Sequence, residues 1–173
     1  MIIMFLFSST SQTLEKEAVT MDHQTIASFQ VVGISARISN EGDSVAKEVE
    51  ALWERFWQED IRNQVPHALN EDIYAVYTDY ETDYTGPYTL TIGLSVASLK
   101  DIPKGFRGMT IEEDTYQKFT SRGKMPEAVL KTWFEIWGNK TLNRAYRADF
   151  TVHGEKYFDG DQAEVETFIS INR

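Results

Sequence analysis

The sequence predicts an α+β fold in which two strand–helix–strand–strand halves share one antiparallel sheet, carry two helices and enclose a central cleft. Three observations predict it. Apolar and β-branched segments alternate with two helical stripes in the order β-α-β-β-β-β-α-β-β. Each helical segment carries W-x-x-x-W, at Trp53 to Trp57 and at Trp133 to Trp137, 80 positions apart. The strand that follows each helix ends in an aspartate and then an aromatic residue, Asp79-Tyr80 and Asp149-Phe150.

Taken in order, Phe29 to Arg37 is β-branched and apolar, with Gly33 marking a bulge or a close backbone contact. From Asp43 to Asp60, residues Val45, Val49, Leu52, Trp53, Phe56 and Trp57 recur at helical period, and Asp43 or Ser44 supplies a cap. Ile73 to Tyr80 and Tyr88 to Ala97 read as strands, and the polar stretch from Glu81 to Pro87 makes them an antiparallel hairpin. Short strands follow at Phe106 to Ile111 and Thr115 to Ser121. Pro126 to Asn139 is the second helix, with Pro at its start, where no N–H is needed, and Gly138 near its stop. Ala145 to Val152 and Glu164 to Ile171 complete the sheet. Residues 1–25 read as an N-terminal tail, from an upstream start or disordered, and residues 26–173 as one domain with pseudo-repeats at about 26–100 and 104–173.

Composition narrows the function classes. The chain has 173 residues, 42% of them hydrophobic, enough for one domain with a substantial core. With 17 basic against 27 acidic residues the net charge is −10, and no basic run offers a surface for phosphates or anionic lipid. Direct nucleic-acid binding is therefore not expected. The absence of cysteine excludes disulfides, thiol catalysis and thiolate metal sites. His23, His67 and His153 are scattered without ligand spacing and read as loop or surface residues, so no metal or other cofactor is expected. Met1 to Phe7 is apolar but too short to span a bilayer, which needs about 20 residues, and it lacks the basic start of a secretory signal. A cytoplasmic location follows.

The candidate chemistry lies in acidic and aromatic residues. Strand alternation sets Val165, Thr167, Ile169 and Ile171 on one side and Glu164, Glu166, Phe168 and Ser170 on the other. A glutamate in mid-strand is either solvated or held in a pocket, and Glu166 is the informative one. With 4 Trp, 8 Tyr and 10 Phe, aromatic walls around a carboxylate suit a flat or quaternary cation, although Trp53, Phe56, Trp57, Trp133 and Trp137 at helical spacing also suit a core. Asp79, Glu81 and Asp83 lack the glutamate that would complete a calcium loop and read as a solvated hairpin tip. Gly93 to Ala97 lies inside a strand, which removes it from consideration as a nucleophile elbow.

Together FQVVGISARISN, LWERFW, IYAVYTDYETDYTGPYTLTIG, KTWFEIW, RAYRADFTV and AEVETFISI resemble the GyrI-like, or AraC-type, bacterial effector-binding domain family over about residues 26 to 173. The resemblance implies a duplicated strand–helix–strand–strand (SHS2-type) fold whose cleft binds small molecules, often cationic and lipophilic. It places Glu166 at the recurrent carboxylate and Asp149, Tyr77, Tyr146, Trp137 and Phe168 on the wall. The leading 25 residues leave no room for the helix-turn-helix that such domains often carry, so a stand-alone binding module is the first expectation. Two alternatives stand beside it. One is a hydrolase of reactive electrophiles using Glu166, and the other an inhibitor of a protein partner, as gyrase inhibitors are; self-association stays open.

Overall fold

A computed structural model describes residues 23–39, 42 and 44–173. The expectations for the N-terminal stretch and for Asp43 as a helix cap fall outside these residues. The elements are β1 (His23–Ile26), β2 (Phe29–Ile38), α1 (Ser44–Gln58), α2 (Ile61–Gln64), β3 (Ala68–Thr78), β4 (Tyr88–Val96), β5 (Arg107–Ile111), β6 (Asp114–Arg122), α3 (Glu127–Gly138), β7 (Asp149–His153) and β8 (Glu164–Ser170). Two short 3-10 turns, Glu155–Phe158 and Gly160–Gln162, join β7 to β8.

The eight strands form one antiparallel sheet in the order β1-β6-β8-β7-β3-β4-β2-β5, which curls into a half-barrel. The central seam is the β3–β7 pair. Outward from it the order is β4, β2, β5 on one side and β8, β6, β1 on the other. Gly33 and Gly93 are partners in the β2–β4 ladder. A Cβ on Gly33 would collide with the Ile92 carbonyl oxygen, and one on Gly93 with that of Val32, so only glycine permits this backbone approach.

Strand alternation gives the sheet two faces. On one, Leu52 and Phe56 of α1 bury Val32, Ile34 and Ile38 of β2, Ile73 and Ala75 of β3, and the even-numbered residues Leu90 to Val96 of β4. On the same face Trp133 and Ile136 of α3 pack on Ile169 of β8, with Phe119 of β6 at the margin. The opposite face gathers Val31, Val76, Ile111, Tyr116, Phe150 and Phe168 into a separate cluster. Burial of these side chains, at roughly 1.5–3 kcal/mol each, is what holds the helices to the sheet.

The structure departs from the sequence reading in five places, the first being β3, which runs from Ala68 to Thr78 where the sequence reads Ile73 to Tyr80, because Ala68 pairs with Val96 across a register shift. Strand β1 (HQTI) has no apolar alternation to announce it, and β6 supplies its pairing. The single-turn helix α2 follows a left-handed Asp60. Strand β7 starts at Asp149 and not at Ala145, because Tyr146 takes a left-handed backbone (φ 53°) that interrupts extension. His153, expected at the surface, is buried in β7 beneath α1.

Candidate ligand-binding site between α1 and α3

Helix α1 sits on β2 and β4, and α3 on β6 and β8, so the seam strands β3 and β7 form the floor between them. Register fixes which side chains line it. Tyr77 pairs with Asp149, Ala75 with Thr151 and Ile73 with His153. Phe150 belongs to the opposite cluster, so Asp149, Thr151 and His153 point toward the helices. Thr151 also pairs with Thr167 of β8, which extends the polar row across a third strand.

Each helix sends its first tryptophan over the seam. Trp53 of α1 lies 4.9 Å, centroid to centroid, from the His153 ring, and Trp133 of α3 lies 4.9 Å from the Tyr77 ring in an edge contact. Tyr77 touches both helix-side clusters. Its ring continues to Tyr88 at 5.7 Å, and Trp133 continues to Trp137 at 6.1 Å. Trp137 stacks on Tyr84 of the hairpin loop, nearly parallel at 12°. Beside Trp53, the His153 ring also meets Tyr157 edge-on at 4.8 Å. Burial raises the Tyr77 phenol well above its ordinary range and the Tyr88 phenol to about 12, so both are neutral donors at physiological pH.

The end of the seam is closed by a buried charge network. Asp149 is fully buried and accepts from Arg144 Nη2 at 2.8 Å, from the Tyr80 hydroxyl at 2.7 Å, and from the Ser170 amide and hydroxyl at 2.7 and 3.0 Å. Arg144 is itself buried and lies over the Tyr146 ring, its Cζ 4.4 Å from the centroid. Burial is the largest single influence and opposes the Arg144 charge, but the Asp149 carboxylate, acting through its charge and hydrogen bond, together with Tyr80 and Tyr146 leaves its pKa raised. Burial, followed by the Asp149 charge, pushes the Tyr80 phenol far up. The left-handed Tyr146 turns the chain so that Arg144 and Asp149, five residues apart, face each other.

The six site residues expected from sequence therefore divide. Tyr77, Asp149, Tyr146 and Trp137 gather at the α3 end of the seam, joined through Trp133 and Tyr80. Glu166 and Phe168 lie on the other face of the sheet. Phe168 is buried against Phe150, with centroids 4.8 Å apart. Glu166 has a side chain 47% exposed and pairs with Lys118 at 3.4 Å, so it is solvated and shares no wall with Asp149. Sequence reasoning did not select Trp53, His153, Thr151 or Thr167. The signal was present in DFTVH, where three polar residues alternate with Phe150 and Val152, a pattern ordinarily read as a wet face.

Two surface hollows of about 460 Å³ lie away from this seam. One runs along the outer face of α3 at Leu130 and Phe134, and the other sits between Arg62, Asp72 and Phe158. Asp72 of β3 and Gly154, next to His153, border the second, but neither hollow is lined by Tyr77, Asp149, Thr151, His153, Trp53 or Trp133, and the convergence of polar and aromatic groups lies among these instead.

Residues 24–171 match the model of the family described as integron-associated effector binding protein. The chain belongs to that family. YobU of Bacillus subtilis (strain 168), which carries the name of a transcriptional regulator, is 29% identical over 145 residues, covering 82% of this chain and 91% of its own. An integron cassette protein from the mobile metagenome of Vibrio cholerae superposes with a TM-score of 0.69 at 25% identity, covering 87% of this chain and 95% of that one. SAV2435, solved bound to tetraphenylphosphonium, has a TM-score of 0.72 at 18% identity, covering 87% of this chain and 92% of that one. The effector-binding resemblance read from sequence thus holds, and the family is related to the ligand-binding domains of transcription regulators. Among the described residues no helix is long and apolar enough to cross a membrane.

Proposed function

We infer that this chain is a small-molecule-binding module whose site is the aromatic seam between α1 and α3, and that it takes lipophilic aromatic compounds, cationic ones included. The observation that carries this reading is the pair of crossing contacts, Trp53 on His153 and Trp133 on Tyr77. They line the floor with ring faces from both helices while leaving the helices on separate parts of the sheet. The tetraphenylphosphonium held by SAV2435 supports a lipophilic cation as one such compound.

Charge recognition in this reading is by ring faces. Asp149 is already matched by Arg144, and Glu166 is paired with Lys118 on the other side of the sheet. A desolvated cation over an indole or phenol gains about 2 kcal/mol per well-placed ring, and the net charge of −10 raises its local concentration. The outward strand order, matched on the two sides of β3–β7, supports reading the halves as a strand–helix–strand–strand duplication, with Trp53–His153 and Trp133–Tyr77 as equivalent contacts.

Titration with tetraphenylphosphonium, followed by tryptophan fluorescence, tests the function. Saturable quenching that weakens at least tenfold in Trp53→Leu is expected. No saturable change in the wild-type protein, or equal affinity in the variant, would overturn the reading.

A further inference from the structure

Two buried polar atoms on the seam floor have no hydrogen-bond partner among the described residues: His153 Nδ1 and Thr167 Oγ1. His153 is 6% exposed and Thr167 fully buried. Such groups are rare in folded proteins, because each forfeits about 1–3 kcal/mol of solvation that nothing repays. Both face the helix side of the sheet, on neighbouring strands β7 and β8. Thr151 stands between them, opposite Thr167 in the ladder and 2.9 Å through its Oγ1 from His153 Nε2.

That contact decides what His153 has to offer. Burial holds the imidazole down to about 4, so it is neutral at physiological pH and carries one N–H and one lone pair. Thr151 occupies Nε2, and Nδ1 keeps either the proton or the lone pair. The ring is wedged between Trp53 and Tyr157, which fixes its plane. Trp53, which covers the His153 ring, is only partly buried.

We propose that His153 Nδ1 and Thr167 Oγ1 read a hydroxyl, amine or carbonyl on the ligand, so that the seam selects aromatic compounds bearing a hydrogen-bonding group over those that are purely apolar. This rests on the seam being the binding site. A site with buried polar groups rejects a ligand that leaves them unpaired far more strongly than an apolar site rejects an added hydroxyl. Neither group carries a formal charge, so the discrimination is for hydrogen bonding and not for ionic state.

The test compares 4-phenylphenol with 4-methylbiphenyl, in which a methyl replaces the hydroxyl at nearly equal volume, by equilibrium dialysis against the wild-type protein, Thr167→Val and His153→Phe. Melting curves identify any variant that fails to fold, and either folded variant suffices. The expected result is that the wild type binds the phenol about tenfold more tightly. The preference, read as the ratio of the two affinities within each protein, should fall toward unity in the variants. Equal binding of the two compounds to wild type, or a preference that survives in every variant that folds, overturns the proposal. Tetraphenylphosphonium, which offers no hydrogen bond, separates the failures. If it binds while the phenol has no advantage, the polar floor alone is refuted; if none of the three compounds binds, the seam reading falls and the floor proposal with it.

Discussion

Arg144 Nη2 lies 2.8 Å from Asp149 Oδ2, and both side chains are withdrawn from water. The pair ties the segment before β7 to the strand itself, and the bonds from Tyr80 and Ser170 add the β3–β4 hairpin and the end of β8. Removing one partner of such a pair leaves a buried charge without compensation. Asp149→Asn is expected to lower unfolding free energy by about 3 kcal/mol, because Arg144 then has no anion. Urea denaturation checks this, and a loss below about 1 kcal/mol would show that the network is not structural.

Glu166 stands in contrast. Its carboxylate is half-exposed, and its contact with Lys118 is of the kind that contributes at most about 1 kcal/mol. Glu166→Gln is expected to leave both thermal stability and the affinity for tetraphenylphosphonium within about twofold of wild type. Thermal melts read the first and calorimetric titration the second, and a tenfold loss of affinity would return Glu166 to the site.

The glycine pair offers a test of the fold. At Gly33 the atom that a new Cβ would meet is a backbone carbonyl oxygen in a paired strand, and it has no rotamer by which to yield. Gly33→Ala is expected to destabilise by about 1–3 kcal/mol, the range for overpacking, and Gly93→Ala by a similar amount. Gly42→Ala has open space around its Cβ and strains only the backbone, so its loss is expected to be smaller. Thermal melts of the three variants give the ranking.

His153 makes stability depend on pH in a defined direction. Burial lowers its pKa from 6.5 to about 4, so the folded protein takes up this proton less readily than the unfolded chain. Between these values the unfolded state binds more protons, and stability rises with pH. Above about 6.5 the imidazole is neutral in both states and contributes nothing; as pH falls toward 4 about 3 kcal/mol is lost. Denaturant unfolding at pH 4.5 and 7.5 is expected to show this slope in wild type and a shallower one in His153→Phe. Equal slopes would place the proton-linked loss elsewhere.

Much of this architecture is legible in the sequence because its main signals are local. The stripe from Val45 to Trp57, the β-branched run at Phe29 to Arg37 and the polar hairpin loop each follow from spacing and residue type, and the close approach at Gly33 follows from a glycine in mid-strand. Strand β1 and the end of extension before Asp149 depend on partners and on the left-handed Tyr146, which no local pattern marks. The site is less legible for a related reason. Alternation separated Glu166 and Phe168 from Thr167 and Ile169, but periodicity does not say which side meets the helices. That is decided by Ile169 packing on α3 and Phe168 on Phe150. The polar row of β7 belongs to the interior because Trp53 and Trp133 reach in from separate helices, a contact between residues far apart in the chain.

The most direct measurement is the set of intermolecular nuclear Overhauser effects between the phenyl protons of bound tetraphenylphosphonium and the isotopically labelled protein. Binding at the seam predicts contacts to the rings of Trp53, Tyr77 and Trp133 and none to Lys118, Glu166 or Phe168. Contacts confined to Lys118, Glu166 and Phe168 would place the ligand on the opposite face of the sheet and contradict the account.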